Sequence, residues 1–180
     1  MINNNGHLIS SAEATVSVSN RGLAYGDAIF ETIKTLNGKI LFWEDHYFRL
    51  MASMRILRME IPMAFTPEFL ESQILELLNH NKSNSNSFRV KLTVFRKQGG
   101  FYTPDINDVN YFITADSLES DLYLLNGSNC TIELFKDFYV APGLLSTLKT
   151  NNKVLNVLGS VYAKENQYDN CLLLNTNKSI

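Results

Sequence analysis

The sequence predicts an α+β fold, and three observations predict it. Two β-rich runs, residues 31–36 and 39–43, flank Asn37-Gly38. The hydrophobic spacing then changes to a helical period in two successive stretches, residues 43–58 and the stretch opening at Thr66-Pro67. Further β-rich runs at 88–95, 110–114, 131–135 and 171–174 follow, with one more helical pattern among them.

The elements follow in order along the chain. Residues 6–9 and 15–18 read as short extended runs broken by polar residues. Asn37-Gly38 tolerates positive φ at both central turn positions, which makes it a strong hairpin signal. Tyr47, Leu50, Met51, Met54 and Leu57 then recur on one helical face. Thr66 is a cap residue and Pro67 suits a first helical turn, so a second helix opens there. Its buried stripe is Phe69, Leu70, Ile74, Leu77 and Leu78, and it stops before a polar loop at 79–87.

Gly99-Gly100 and Thr103-Pro104 make the connection after the 88–95 strand a loop. An acidic, serine-containing stretch at 116–121 separates two apolar strands. It sets a boundary between a first domain, 1–117, and a second, 118–180. Val154, Leu155, Val157, Leu158, Val161 and Tyr162 mark a third helix, with Asn151 or Asn152 as its cap. Residues 171–174 form a last strand, whose returning partner strand would leave an unpaired edge if it stopped at Ile180.

Composition narrows the function classes. With 180 residues, 45% of them hydrophobic and 19% charged, the chain reads as soluble and globular. A net charge of -2 gives no electrostatic case for nucleic acid or an anionic membrane. The N-terminus lacks a basic and apolar leader pattern, and no apolar run would span a bilayer. Cys130 and Cys171 fit no metal or disulfide framework, so a reducing cytoplasm is the expected compartment.

Several residues are candidates for chemistry. Lys149 lies between a strand-like segment and a helix start, where a lysine either is solvated or turns into a cleft as a nucleophile. Arg49 either pairs with Asp45 one helical turn earlier or offers its fork to a phosphate. His46 has no second histidine or acid pair at metal-ligand spacing and reads as structural. Phe30 is either core or pocket, and Glu31 is either a site residue or a structural anion. Period two puts Arg89 and Lys91 on one strand face and Arg96 on the other, either as a solvated surface or as holders of a substrate carboxylate.

Taken together, three segments resemble a known family. They are Asn20-Arg-Gly-Leu-Ala-Tyr-Gly-Asp-Ala-Ile-Phe-Glu-Thr-Ile-Lys34, Trp43-Glu-Asp-His-Tyr-Phe-Arg-Leu50 and Leu148-Lys149-Thr-Asn-Asn152. They resemble the fold-type IV pyridoxal-phosphate enzymes, or class IV aminotransferases. That group includes branched-chain and D-amino-acid aminotransferases and aminodeoxychorismate lyase. The resemblance implies a complete small N-terminal domain, an incomplete C-terminal domain, and a cofactor lying between two such modules. It implies pyridoxal 5'-phosphate held as an aldimine on Lys149, with Arg49 on the cofactor phosphate. By the same resemblance Tyr25, Phe30, Arg89, Arg96 and Tyr102 bind substrate. The substrates would be an amino acid and a 2-oxo acid, or aminodeoxychorismate in the lyase, and the assembly would be a homodimer. The 96–102 loop is slightly similar to that of the lyase subgroup. Asn152-Lys153-Val154 stands where the branched-chain subgroup has a tyrosine. The family pattern continues past Ile180 with a glutamate for the pyridine nitrogen, so this chain is expected to be a fragment of a longer enzyme, and a non-catalytic fragment is the third reading.

Overall fold

The computed structural model describes residues 1–81, 85–123, 127 and 129–180. The chain divides into two compact units, one made of Met1–Tyr123 and Lys149–Asn151, the other of Leu124–Leu148 and Asn152–Ile180.

The first unit opens with a hairpin, β1 (Ile2–Asn4) and β2 (His7–Ile9). Its turn is Asn5-Gly6, with φ of 52° and 87°. Buried Asn3 holds it, because its Oδ1 accepts from the Gly6 amide at 2.9 Å. A short helical turn, α1 (Arg21–Ala24), follows, capped by the Asn20 side chain on the Leu23 amide. Then come β3 (Ala28–Leu36) and β4 (Lys39–Ile40), joined by Asn37-Gly38 with φ of 50° and 74°. This is the positive-φ turn that the dipeptide predicts.

Helix α2 (Trp43–Ile56) starts from Phe42, which has a left-handed backbone and no side-chain cap. Glu44 and Asp45 in its first turn suit the positive end of the helix. Helix α3 (Pro67–His80) begins as predicted, with Thr66 accepting from the Phe69 amide and Pro67 in the first turn. The predicted polar loop after it falls partly on Lys82, Ser83 and Asn84, which lie outside the described residues. Strands β5 (Ser87–Arg96) and β6 (Val109–Ser117) complete a six-stranded sheet ordered β2-β1-β6-β5-β3-β4, in which each paired strand is antiparallel to its neighbour.

Alternation along the strands builds the core. Ile29 and Ile33 of β3, Val90, Leu92 and Val94 of β5, and Tyr111 and Ile113 of β6 pack with Leu50, Met51 and Met54 of α2 and Leu70, Ile74 and Leu77 of α3. One sheet face is therefore committed to the helices. The other carries Phe30, Lys91 and their neighbours.

The second unit has β7 (Ile132–Val140), a 3-10 turn (Leu144–Thr147), helix α4 (Val154–Glu165) and β8 (Asn170–Asn175). β7 and β8 pair in parallel. Parallel neighbours need a crossover, which α4 supplies. Phe135 of β7 meets the Tyr162 ring of α4 at 5.4 Å.

Four expectations change. Residues 15–18 are not a strand, because they find no ladder partner. The residue preceding α4 is Lys153, with no side-chain cap bond, in place of Asn151 or Asn152. β8 gains a parallel partner, β7, along one edge, which was not foreseen, while its other edge has no strand partner among the described residues. The apolar stripe of α4 is only partly covered: Gly159 and Ala163 are buried, while Val154, Val157 and Val161 are exposed. Small residues make the closest contact with the strands, so the larger side chains flank the seam. No helix among the described residues is long and apolar enough to cross a membrane.

Candidate active site

The start of β3 gathers the candidate residues. β4 pairs with β3 only at Thr35 and Leu36, so the other half of that edge is open to another segment. Lys149–Asn151 occupies its first part, beside Ala28–Phe30. The Phe30 amide donates to the Lys149 carbonyl at 2.8 Å, and the Asn151 amide donates to the Ala28 carbonyl at 3.0 Å. Ile29 and Thr150 form an antiparallel bridge between these bonds. Opposed residues of an antiparallel pair share a face, which puts Lys149 beside Phe30. The Lys149 Nζ lies 5.3 Å from the Phe30 ring centroid. Lys91 of β5, diagonal to Phe30 across the ladder, brings a second ammonium to 4.7 Å from the same ring. Among the described residues no carboxylate pairs with Lys149.

Glu31, the next residue of β3, projects to the opposite face. Its buried carboxylate receives Arg49 Nε at 2.7 Å on one oxygen and Nη2 at 2.5 Å on the other. His46 Nδ1 lies 2.8 Å from Glu31 Oε2 and 3.0 Å from Arg49 Nη2. A guanidinium can only donate and a carboxylate only accept, so Nδ1 either donates to Glu31 or, in the other tautomer, accepts from Arg49 Nη2. Arg49 therefore pairs with Glu31 across the packing of α2 on β3, in place of Asp45 along its own helix. A desolvated carboxylate outcompetes a hydrated one for the same fork. The Glu31 hydrogen bonds are the main reason the Arg49 pKa is raised above the ordinary arginine range. Arg49 Nη1 has no hydrogen-bond partner among the described residues, and the side chain is 45% exposed.

The remaining candidates sit elsewhere. Arg89 is exposed and pairs with Asp116, its cross-strand neighbour, at 3.0 Å. Arg96 points to the helix-covered side, as period two requires. Its guanidinium donates to Asp27, to the Leu57 and Arg58 carbonyls at the end of α2, and to Asn107. It is committed to holding α2 against β5. Tyr25 and Tyr102 meet with ring centroids 5.6 Å apart.

Sequence reasoning passed over two residues of the opening motif, Arg21 and Asp27. Both are largely buried, and Asp27 Oδ2 accepts from Arg21 Nε and from Arg96 Nε, each at 2.9 Å. The signal was present as an arginine beside Gly22 and an aspartate beside Gly26.

Lys149 and Arg49 stand at the start of β3 on its two faces, and each offers one of the two chemistries that a phosphorylated carbonyl cofactor requires. A lysine without a carboxylate partner, held against an aromatic ring, is free to be a nucleophile. An arginine fixed along one edge by a buried acid keeps its other nitrogen for a phosphate.

Comparison with known proteins shows the family. The family model for amino-transferase class IV matches residues 28–180. The D-alanine aminotransferase of Staphylococcus haemolyticus is 30% identical over 170 residues, which cover 89% of this chain and 54% of that protein. That of Staphylococcus aureus (strain N315) is 29% identical over 164 residues, with the same two shares of 89% and 54%. The chain thus spans about half the length of the curated relatives it matches. Among solved structures, the T.th. branched-chain amino acid aminotransferase complexed with N-(5'-phosphopyridoxyl)-L-glutamate superposes with a TM-score of 0.83 at 25% identity, covering 98% of this chain and 59% of that one. The Escherichia coli branched-chain enzyme gives 0.79 at 20% identity, with shares of 98% and 58%, and shows the fold.

Proposed function

The chain belongs to the class IV aminotransferase family, and on that premise we propose that it moves an amino group between an amino acid and a 2-oxo acid with pyridoxal phosphate bound at Lys149. The observation that carries this reading is the placement of Lys149. Its backbone is hydrogen-bonded to the start of β3, and its amine rests over Phe30 with no carboxylate partner among the described residues.

When bound, pyridoxal phosphate would supply the electron sink that stabilises negative charge at the substrate α-carbon. Lys149 Nζ would hold the cofactor at rest, then carry the proton taken from that carbon and return it. The backbone bonds from the Lys149 carbonyl and the Asn151 amide to β3 limit the positions the Lys149 amine can reach. Arg49 would hold the phosphate through Nη1, with Glu31 and His46 fixing the guanidinium plane. Phe30 would exclude water beside the amine, and Tyr25 and Tyr102 would contact the substrate. The reading also assigns the chain to a homodimer. The D-alanine and branched-chain preferences of its relatives are the two substrate classes to try first.

The test is visible absorbance of the purified chain after addition of pyridoxal phosphate, beside Lys149→Ala. A band distinct from the free cofactor in the parent alone supports Lys149 as the attachment point. The same spectrum in both proteins overturns it. Turnover with amino acid and 2-oxo acid pairs then supports the transferase. Release of pyruvate from aminodeoxychorismate without such turnover would assign the lyase instead.

A further inference from the structure

We propose that Arg21 is a positioning residue whose guanidinium fixes the 99–102 loop, and so sets an aromatic wall that selects the substrate by its side chain. The substrate part of this proposal rests on the aminotransferase reading. The anchoring part stands alone.

Arg21 is 4% exposed and its Nε pairs with Asp27. The rest of its fork receives backbone oxygens from a loop about 80 residues downstream. Nη1 donates to the Gly99 carbonyl at 2.9 Å and to Phe101 at 2.6 Å, and Nη2 donates to Tyr102 at 3.3 Å. Several carbonyl dipoles aimed at one point repel one another unless a cation sits there. The loop is shaped for this cradle. Gly100 has φ of 67°, and a Cβ there would collide with the Thr103 carbonyl oxygen. A Cβ on Gly99, at φ of 131°, would stand 2.7 Å from Asp105 Oδ2. A side chain at Gly100 would force the turn open, while one at Gly99 would be strained by its positive φ and would push the Asp105 side chain aside.

What this rigid turn presents is apolar. Phe101 and Tyr102 are 85% and 88% exposed. Tyr102 leans on Tyr25, whose ring also receives the Arg21 guanidinium at 5.0 Å. One buried cation thus orders two rings from distant parts of the chain. A chain gains no core from clamping a loop whose side chains face solvent. It gains a preorganised surface, since binding to fixed rings loses less entropy than binding to mobile ones. The selectivity part takes its place in the site from the reading that Tyr25 and Tyr102 contact the substrate.

The experiment has two arms on the full chain. Limited chymotryptic cleavage after Phe101 and Tyr102 is compared between the parent, Arg21→Met and Arg21→Lys. Losing charge-assisted bonds should speed cleavage in Arg21→Met by about 10- to 100-fold, with partial recovery in Arg21→Lys. Cleavage as slow as the parent's in Arg21→Met overturns the anchoring. The second arm measures KM for a small and a bulky 2-oxo acid. The ratio of the two should shift by about tenfold in Arg21→Met, and by no more in Arg21→Met combined with Tyr102→Ala than in Tyr102→Ala alone. A loosened loop with an unchanged KM ratio overturns the selectivity role. Should the parent bind no pyridoxal phosphate, the aminotransferase reading and the selectivity role both fall, and the cleavage arm still decides whether Arg21 holds the loop.

Discussion

Replacing Asp27 with alanine should destabilise the first unit by about 3–5 kcal/mol, the range for a buried charge pair broken from one side. The structure supports that size. Asp27 Oδ2 serves two guanidinium groups, Arg21 and Arg96, whose side chains are 4% and 7% exposed. Each of its two hydrogen bonds to a charged donor is worth about 1.5–3 kcal/mol. Asp27 itself is 16% exposed, so water replaces it only partly. The carbonyls around both arginines remain, which keeps the loss below that of two bare cations. Trp43, the single tryptophan, lies on α2 and reports this unit by fluorescence during urea unfolding. With a slope near 2 kcal/mol/M, the midpoint should fall by about 1.5–2.5 M. Asp27→Asn, which keeps an acceptor and loses the charge, should fall between the two. Arg96→Met combined with Asp27→Ala should cost less than the sum of the single changes, because fewer charges are stranded. A loss under about 1 kcal/mol for Asp27→Ala would refute the view that this carboxylate is the counter-ion of both arginines.

Other outcomes follow from single groups. Tyr111 is buried beside Phe65, its hydroxyl lacks a partner among the described residues, and burial pushes its pKa up to about 12. The folded state then holds the phenol proton more tightly than the unfolded chain, whose tyrosines titrate near about 10. Its contribution to stability is intact below about pH 10 and is lost as pH rises toward 12. Tyr111→Phe should therefore be neutral or slightly stabilising at pH 7 and should remove part of the decline above pH 10, read as the difference between parent and variant urea midpoints. A steeper decline in the variant would contradict this. Arg49→Gln should weaken pyridoxal phosphate binding by about 10- to 100-fold in an absorbance titration. The same change should also cost about 1–3 kcal/mol of stability, because buried Glu31 loses its charged donor and keeps only His46. Unchanged affinity would remove Arg49 from the phosphate site.

The parts of the fold legible in the sequence are those decided locally. Asn37-Gly38 and Thr66-Pro67 carry their own backbone requirements, and the stripes of α2 and α3 need only a period. Asn5-Gly6 carried the same hairpin signal, but Ile2–Asn4 is too polar to read as a strand. What stayed hidden depends on distant partners. Nothing near Arg49 in the chain reveals that Glu31, from another element, will displace Asp45 as its partner. Nothing near Arg96 shows that the carbonyls ending α2 will occupy its fork. For the candidate site, the resemblance pointed to Lys149 and Arg49, while Arg21 and Asp27 were invisible as a pair because their meaning lies in the loop they hold.

The bridge between Ile29 and Thr150 spans about 120 residues of sequence, and so bears on the order in which the chain acquires its parts. At ordinary ribosomal speeds the β3 edge waits on the order of 10 s before the lysine segment is synthesised. During that interval most of the first sheet can form, while half of one strand still offers unpaired amides and carbonyls. Chaperone binding to nascent chains arrested before residue 148 should therefore exceed that to chains arrested well after residue 151. The segment that brings the candidate nucleophile also covers the start of that edge, so installing the lysine and shortening the exposed edge become one event.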